Sequence, residues 1–170
     1  GANPERFNAE LAVSYNNIGA FYLSQQEDEE AEKYFGKAIE IYEKLVEKYP
    51  EIYNEALAGI YGNTGFFCEK HYPEKAKEYY LKEMYIKEKL VQEDPQRFNP
   101  ELAICCFRLA RLLDNYSYFE KALKLAMTRP DHPQCRQIID CYEREKKNII
   151  DDAEKEAAVD CIADEKRRRE

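Results

Sequence analysis

The chain has 170 residues, of which 44% are hydrophobic and 35% charged, and its formal net charge is −8. That acidity argues against nonspecific binding to nucleic acid or to an anionic membrane, since both favour a basic surface. The 6 Gly and 7 Pro leave little material for a turn-rich all-β fold, and without a run of about 18 apolar residues no membrane span is expected.

The phrase Pro4-Glu-Arg-Phe-Asn-Ala-Glu-Leu-Ala12 opens the chain. It returns as Pro50-Glu-Ile-Tyr-Asn-Glu-Ala-Leu-Ala58 and as Pro95-Gln-Arg-Phe-Asn-Pro-Glu-Leu-Ala103, so the phrases start at 4, 50 and 95, in steps of 46 and 45 residues. A fixed period of this size marks a stacked repeat architecture, in which each unit buries its apolar face against its neighbours. Each unit reads as two helices. In the first, Tyr15-x-x-Ile18-Gly19-x-x-Tyr22 is followed by Ala31-x-x-x-Phe35. Tyr15, Ile18 and Tyr22 share one face at helical spacing, while Gly19 and Ala31 let two antiparallel helices approach closely. The second unit reads Tyr61-x-x-Thr64-Gly65-x-x-Cys68, then Ala76-x-x-x-Tyr80. The third reads Cys106-x-x-Leu109-Ala110-x-x-Leu113, then Ala122-x-x-x-Ala126, a degenerate version with smaller side chains.

First helices are expected at about 8–24, 53–69 and 98–115, and second helices at about 28–48, 74–93 and 117–128, with turn signals at 25–28, at 71–73 and at the Pro that opens each phrase. Thr128-Arg-Pro130 ends the third pair. From Gln134 to Glu170 there is no Gly or Pro, and Cys135, Ile138, Ile139, Tyr142, Ile149, Ile150, Ala153, Ala157 and Cys161 make an apolar series. One long helix, or two, capping the end of the array is the favoured reading. A self-associating coiled coil is the alternative, with Lys146 and the alanines leaving a poor seam for it. Lys166-Arg-Arg-Arg169 reads as a solvated helix end, favourable to the helix dipole. The chain thus divides into 1–130, holding three helix pairs (about 3–49, 50–94 and 95–128), and 131–170, a C-terminal helical cap or extension.

The Tyr, Leu-Gly, Tyr, Ala, Phe pattern resembles the tetratricopeptide repeat family over about residues 3–128. The 45-residue step is similar to the long, kinesin-light-chain-like variety, and the stripe Ala31, Phe35, Ala38, Tyr42, Leu45, Tyr49 shows the extended second helix. The resemblance implies an all-α fold: a right-handed superhelical array (an α-solenoid) of three tetratricopeptide-like helix pairs. It also implies a scaffold that binds a peptide or partner protein in a concave groove lined by the first helices. By the family's outward positions that groove would hold Val13, Asn16, Asn17, Ala20 and Leu23, then Gly59, Gly62, Asn63, Phe66 and Glu69, then Ile104, Phe107, Arg108, Arg111 and Asn115.

Within that set, Asn16, Asn17 and Asn63 both donate and accept, which suits an extended peptide backbone. Arg108 and Arg111 suit a carboxylate, on a side chain or a free C-terminus, and Phe66 and Phe107 suit an apolar anchor. Members that clamp two carboxylates of a chaperone tail would match here at Asn63 and Arg108 only, because Asn16, Ala20 and Ile104 depart from that clamp. Gly59-x-x-Gly62-x-x-Gly65 costs a helix roughly 2–3 kcal/mol against alanine, at about 1 per glycine. Gly65 fits the family's packing position. Gly59 and Gly62 would bare the backbone on the groove floor for a ligand, or else mark a loosened or tightly packed helix.

Chemistry finds little to work with. Cys68-x-x-His71 and His132-x-x-Cys135 offer zinc-type ligands, but the pairs lie in different parts of the array, and no metal or other cofactor is expected. Cys105-Cys106 points to two sides of a helix, with one thiol in the repeat core. Two turn histidines and no Ser- or Gly-rich elbow do not assemble a nucleophile with its base, so no enzyme is expected. Six cysteines without a Cys-x-x-Cys pair read as buried free thiols of a reducing compartment, the cytoplasm. No targeting segment is legible, and a start at Gly1 rather than Met takes the weight out of that. The reading is a monomeric protein-interaction scaffold. A structural or sensor segment of a longer array, or a dimer through the C-terminal helix, are the alternatives.

Overall fold

The computed structural model describes residues 4–145 and 147. Its elements are α1 (Pro4–Ser24), α2 (Asp28–Lys48), α3 (Pro50–Cys68), α4 (Pro73–Glu93), α5 (Pro95–Leu113) and α6 (Tyr116–Ala126), and a further helix, α7, described over 133–145. Each helix packs chiefly on its neighbours in sequence, and α1 also touches α3. The architecture is an all-α solenoid of helix pairs, as the repeat period implies. What was expected of Lys146 and of 148–170, including the rest of the cap or coiled coil, Cys161 and the basic run at 166–169, lies outside the described residues.

Proline sets the helix starts. Pro50, Pro73 and Pro95 each sit in the first turn of α3, α4 and α5, where a missing N–H costs nothing and a fixed φ favours the helix. The first helices therefore begin at the proline of the phrase, three to four residues earlier than expected. Asp94 caps α5 by accepting from the Arg97 N–H, and Asn115 caps α6 by accepting from the Ser117 N–H. Asp114 closes α5 in the left-handed region at φ 47°.

Small residues make the pairs close. A methyl on Gly19 would meet the Phe35 ring at 2.9 Å, and one on Gly65 would meet the Tyr80 ring at 2.7 Å. In the third unit Ala110 and Ala126 occupy these two positions, so a slightly larger residue on the first helix faces a much smaller one on the second. The vacated volume is taken by α7, whose Cys135 and Ile138 join Leu102, Ala103, Cys106, Ala122 and Ala126 in one cluster.

Two expectations need correction. Both Cys105 and Cys106 are fully buried, because α5 lies between the second unit on one side and α6 with α7 on the other. The Cys105 thiol donates to the Tyr80 carbonyl at 3.3 Å. Ile18, expected to share a packed face with Tyr15 and Tyr22, is 36% exposed, because among the described residues no preceding unit covers it.

Candidate functional site

The first helices lie side by side where α1 meets α3: the Asn63 amide donates to Asn16 Oδ1 at 3.3 Å across the two helices. These asparagines satisfy each other in part, and Asn17 is exposed beside them. One turn on, Phe66 stands 58% exposed. Arg108 is half-buried with its guanidinium 5.8 Å from the Tyr80 ring centroid. The Tyr80 hydroxyl donates to Glu69, so Glu69 and Arg108 flank one phenol. Burial first, then that hydrogen bond, pushes the Tyr80 phenol well above its ordinary range.

Phe107 and Arg111 come together elsewhere. With Ala110, Asp114 and Asn115 they form one wall of a cavity of about 390 Å³, closed by Tyr116 and Phe119 of α6 and by Cys141 and Glu145 of α7. Phe107 packs on Phe119 at 5.8 Å between ring centroids, and Phe119 packs on Tyr142 at 6.0 Å. Arg111 is exposed at this mouth, with no ion pair among those described. The Cys141 thiol lies 3.8 Å from a Glu145 carboxylate oxygen; burial, and then that carboxylate, push its pKa up. An aromatic floor beside an unpaired guanidinium can hold an apolar or aromatic side chain next to a carboxylate.

The predicted residues thus fall into three places: Asn16, Asn17 and Asn63 with Phe66 along α1 and α3; Arg108 on the Tyr80 ring; and Phe107 with Arg111 in the α5–α7 cavity. Asn115 spends its side-chain oxygen on the α6 cap. Gly62 is not bare backbone. It is buried, and a methyl there would sit 2.8 Å from Glu83 Oε1. Glu83 is itself buried, paired with Lys87 at 2.7 Å, and Lys87 reaches Glu101 at 3.5 Å. Of the three α3 glycines, Gly59 alone has open space in front of it.

Sequence reasoning missed the α6 and α7 walls of the cavity. The aromatic cluster Tyr116, Tyr118, Phe119 directly after the α5 stop was the available signal. Cys68 and Cys135, the thiols of the two zinc-type pairs, belong to different core clusters, and no group of three or more metal-ligating side chains gathers among the described residues. No described helix is long and apolar enough to cross a membrane.

Residues 11–48 match the family profile described as Tetratricopeptide repeat. No curated protein matches the chain. The matched stretch spans most of α1 and all of α2, and the next two pairs repeat its build at the same step.

Proposed function

Tetratricopeptide repeats generally mediate protein–protein interaction, and we propose that this chain does so as a scaffold holding a peptide or partner protein in a concave groove along its first helices. The observation that carries the reading is the α5–α7 cavity, which Arg111, exposed and without an ion pair among those described, lines together with Phe107 and Phe119. A peptide whose carboxylate, side-chain or terminal, meets Arg111 and whose apolar residue enters the cavity would then run past Phe66 toward Asn63 and Asn17. Arg108 orders Tyr80 and contributes positive potential. In this reading the pairs at about 3–49, 50–94 and 95–128 are the binding array of the long, kinesin-light-chain-like kind, and α7 caps it. The protein is a monomer that works in the cytoplasm by binding, not by catalysis.

A displayed library of random peptides, selected on the wild-type chain and counter-selected on Arg111→Glu of verified helicity, tests this. The reading expects enriched peptides with an apolar residue near an acidic one, bound at least about tenfold more weakly by Arg111→Glu and by Phe66→Ala. Enrichment that survives both substitutions would place the binding site elsewhere on the molecule.

A further inference from the structure

Residues of α5 that depart from the repeat gather at one place, the cavity between α5, α6 and α7. At the 45-residue step, Phe107 answers to Gly62 and Arg111 to Phe66. A ring and a guanidinium thus stand where the second unit has bare backbone and a ring. Phe107 meets the Phe119 ring at 5.8 Å between centroids, and Tyr116 meets the same ring at 6.1 Å. Phe119 is only 8% exposed, so it makes an aromatic floor on which the other two rings pack.

Three charged groups share the cavity with those rings: Arg111 of α5, Asp114 at the end of α5, and Glu145 of α7. All three are exposed, and none has an ion pair among those described. Both signs bear on one atom of the wall. Burial and then Glu145 push the Cys141 thiol up, while Arg144 and Arg111 pull it the other way. Opposite charges that line one cavity without pairing leave both signs open to a ligand. A carboxylate alone answers Arg111 and leaves Asp114 and Glu145 without a counterion; a carboxylate with an ammonium beside it answers all three.

We propose that this cavity is a site for a free α-amino acid with an aromatic or branched apolar side chain. Its carboxylate takes the fork of Arg111, and its ammonium is held by Asp114 and Glu145. Its side chain lies on Phe107, Tyr116 and Phe119, whose faces also attract the ammonium. The volume of about 390 Å³ is at the small end of small-molecule sites, about 300–1,000 Å³, which suits a ligand of this size. A residue inside a peptide has neither free backbone group, and a terminal residue has only one of the two, so the free amino acid alone brings both on one carbon. The binding stands apart from the peptide reading; that the amino acid regulates the groove, by displacing a peptide from Arg111, rests on it.

Calorimetric titration of the full chain with L-phenylalanine is expected to give saturable binding of one molecule per chain. L-Phenylalaninamide lacks the carboxylate and N-acetyl-L-phenylalanine lacks the ammonium, and each should bind at least about tenfold more weakly. Arg111→Glu should abolish the binding of L-phenylalanine. In an Asp114→Asn/Glu145→Gln variant, L-phenylalanine and its N-acetyl form should bind alike, because the acids that read the ammonium are gone. These positions are exposed, and asparagine tolerates the left-handed backbone of Asp114, so helicity should be unchanged. Bound L-phenylalanine should also shield Cys141 from iodoacetamide, read by mass mapping of the alkylated thiols, which places the ligand in this cavity. No saturable binding, equal binding of the three ligands by the wild-type chain, or binding that leaves Cys141 unshielded overturns the proposal. Selected peptides that depend on Arg111, beside a cavity indifferent to L-phenylalanine, would leave the groove reading standing and this one fallen. L-Phenylalanine bound as described, beside peptides indifferent to Arg111, would do the reverse.

Discussion

Three glycines at one spacing in α3 have three different surroundings, and only the partner helix tells them apart. Gly65 faces the Tyr80 ring, Gly62 faces the Glu83 carboxylate, and Gly59 faces open space. Replacing Gly59 with Ala should therefore stabilise the fold by about 0.5–1 kcal/mol, the ordinary helix-propensity gain. Gly62→Ala makes the same gain but must displace a buried carboxylate from its pairing with Lys87, and it should destabilise by a net of about 1–3 kcal/mol. Urea midpoints of the two variants, at unchanged m, check the opposite signs. The sequence shows that three glycines in one helix are costly, and it identifies Gly65 through the repeat pattern. It does not show that a glutamate 21 residues on, in the next helix, fills the space at Gly62. Side-chain partners across a repeat interface are set by packing geometry, which the period alone does not encode.

At the scale of the helix, the pattern of Tyr, Gly, Ala and Phe fixed which segments are helical and how they pair, because those residues make the close contacts. The boundaries were less legible. The opening prolines read as turn residues, whereas at N1 they begin the helix. Pro100 is the exception, since it lies inside α5 and cannot donate to the carbonyl four residues back, that of Gln96. The Arg129 guanidinium donates to that carbonyl instead, at 2.7 Å, so a residue just beyond α6 repairs the first turns of α5. Beside it the Asn99 amide donates to Thr128 at 3.1 Å. Arg129→Ala should cost about 1–2 kcal/mol in the wild-type chain, the range for a half-exposed bond from a charged donor. In a Pro100→Ala background the restored N–H takes the Gln96 carbonyl, and the same substitution should cost clearly less. A double-mutant cycle by urea unfolding should return a coupling of about 1 kcal/mol between the two positions. A coupling near zero would mean the guanidinium bond does not compensate the proline.

The whole array is held by clusters that each carry buried acids in their neutral form, which sets how it responds to alkali. Burial pushes the thiols of Cys68 and Cys106 up to about 11, and that of Cys105 further. Burial, followed by bonds to Glu43 and Glu69, raises the phenols of Tyr61 and Tyr80. Unfolded, a thiol ionises near about 8.5 and a phenol near about 10. Each raised acid therefore contributes in full below its unfolded pKa. The contribution is lost as pH rises toward the folded value, because the unfolded chain sheds the proton first. Tyr61 belongs to the first core cluster, Cys68, Cys105 and Tyr80 to the second, and Cys106 to the third, so no helix pair is spared. The urea midpoint should hold level up to about pH 8.5 and fall steadily between about 9 and 11. Iodoacetamide at neutral pH should reach half-buried Cys141 well before Cys68, Cys105, Cys106 and Cys135, all four of them buried. A midpoint still level at about pH 10.5 would mean that these thiols ionise as readily folded as unfolded. Early alkylation of Cys105 would mean that α5 opens locally, apart from the rest of the array. Such opening is possible in a solenoid whose helices touch chiefly their neighbours. The thiol shared between the second and third units is the place where it would first be seen.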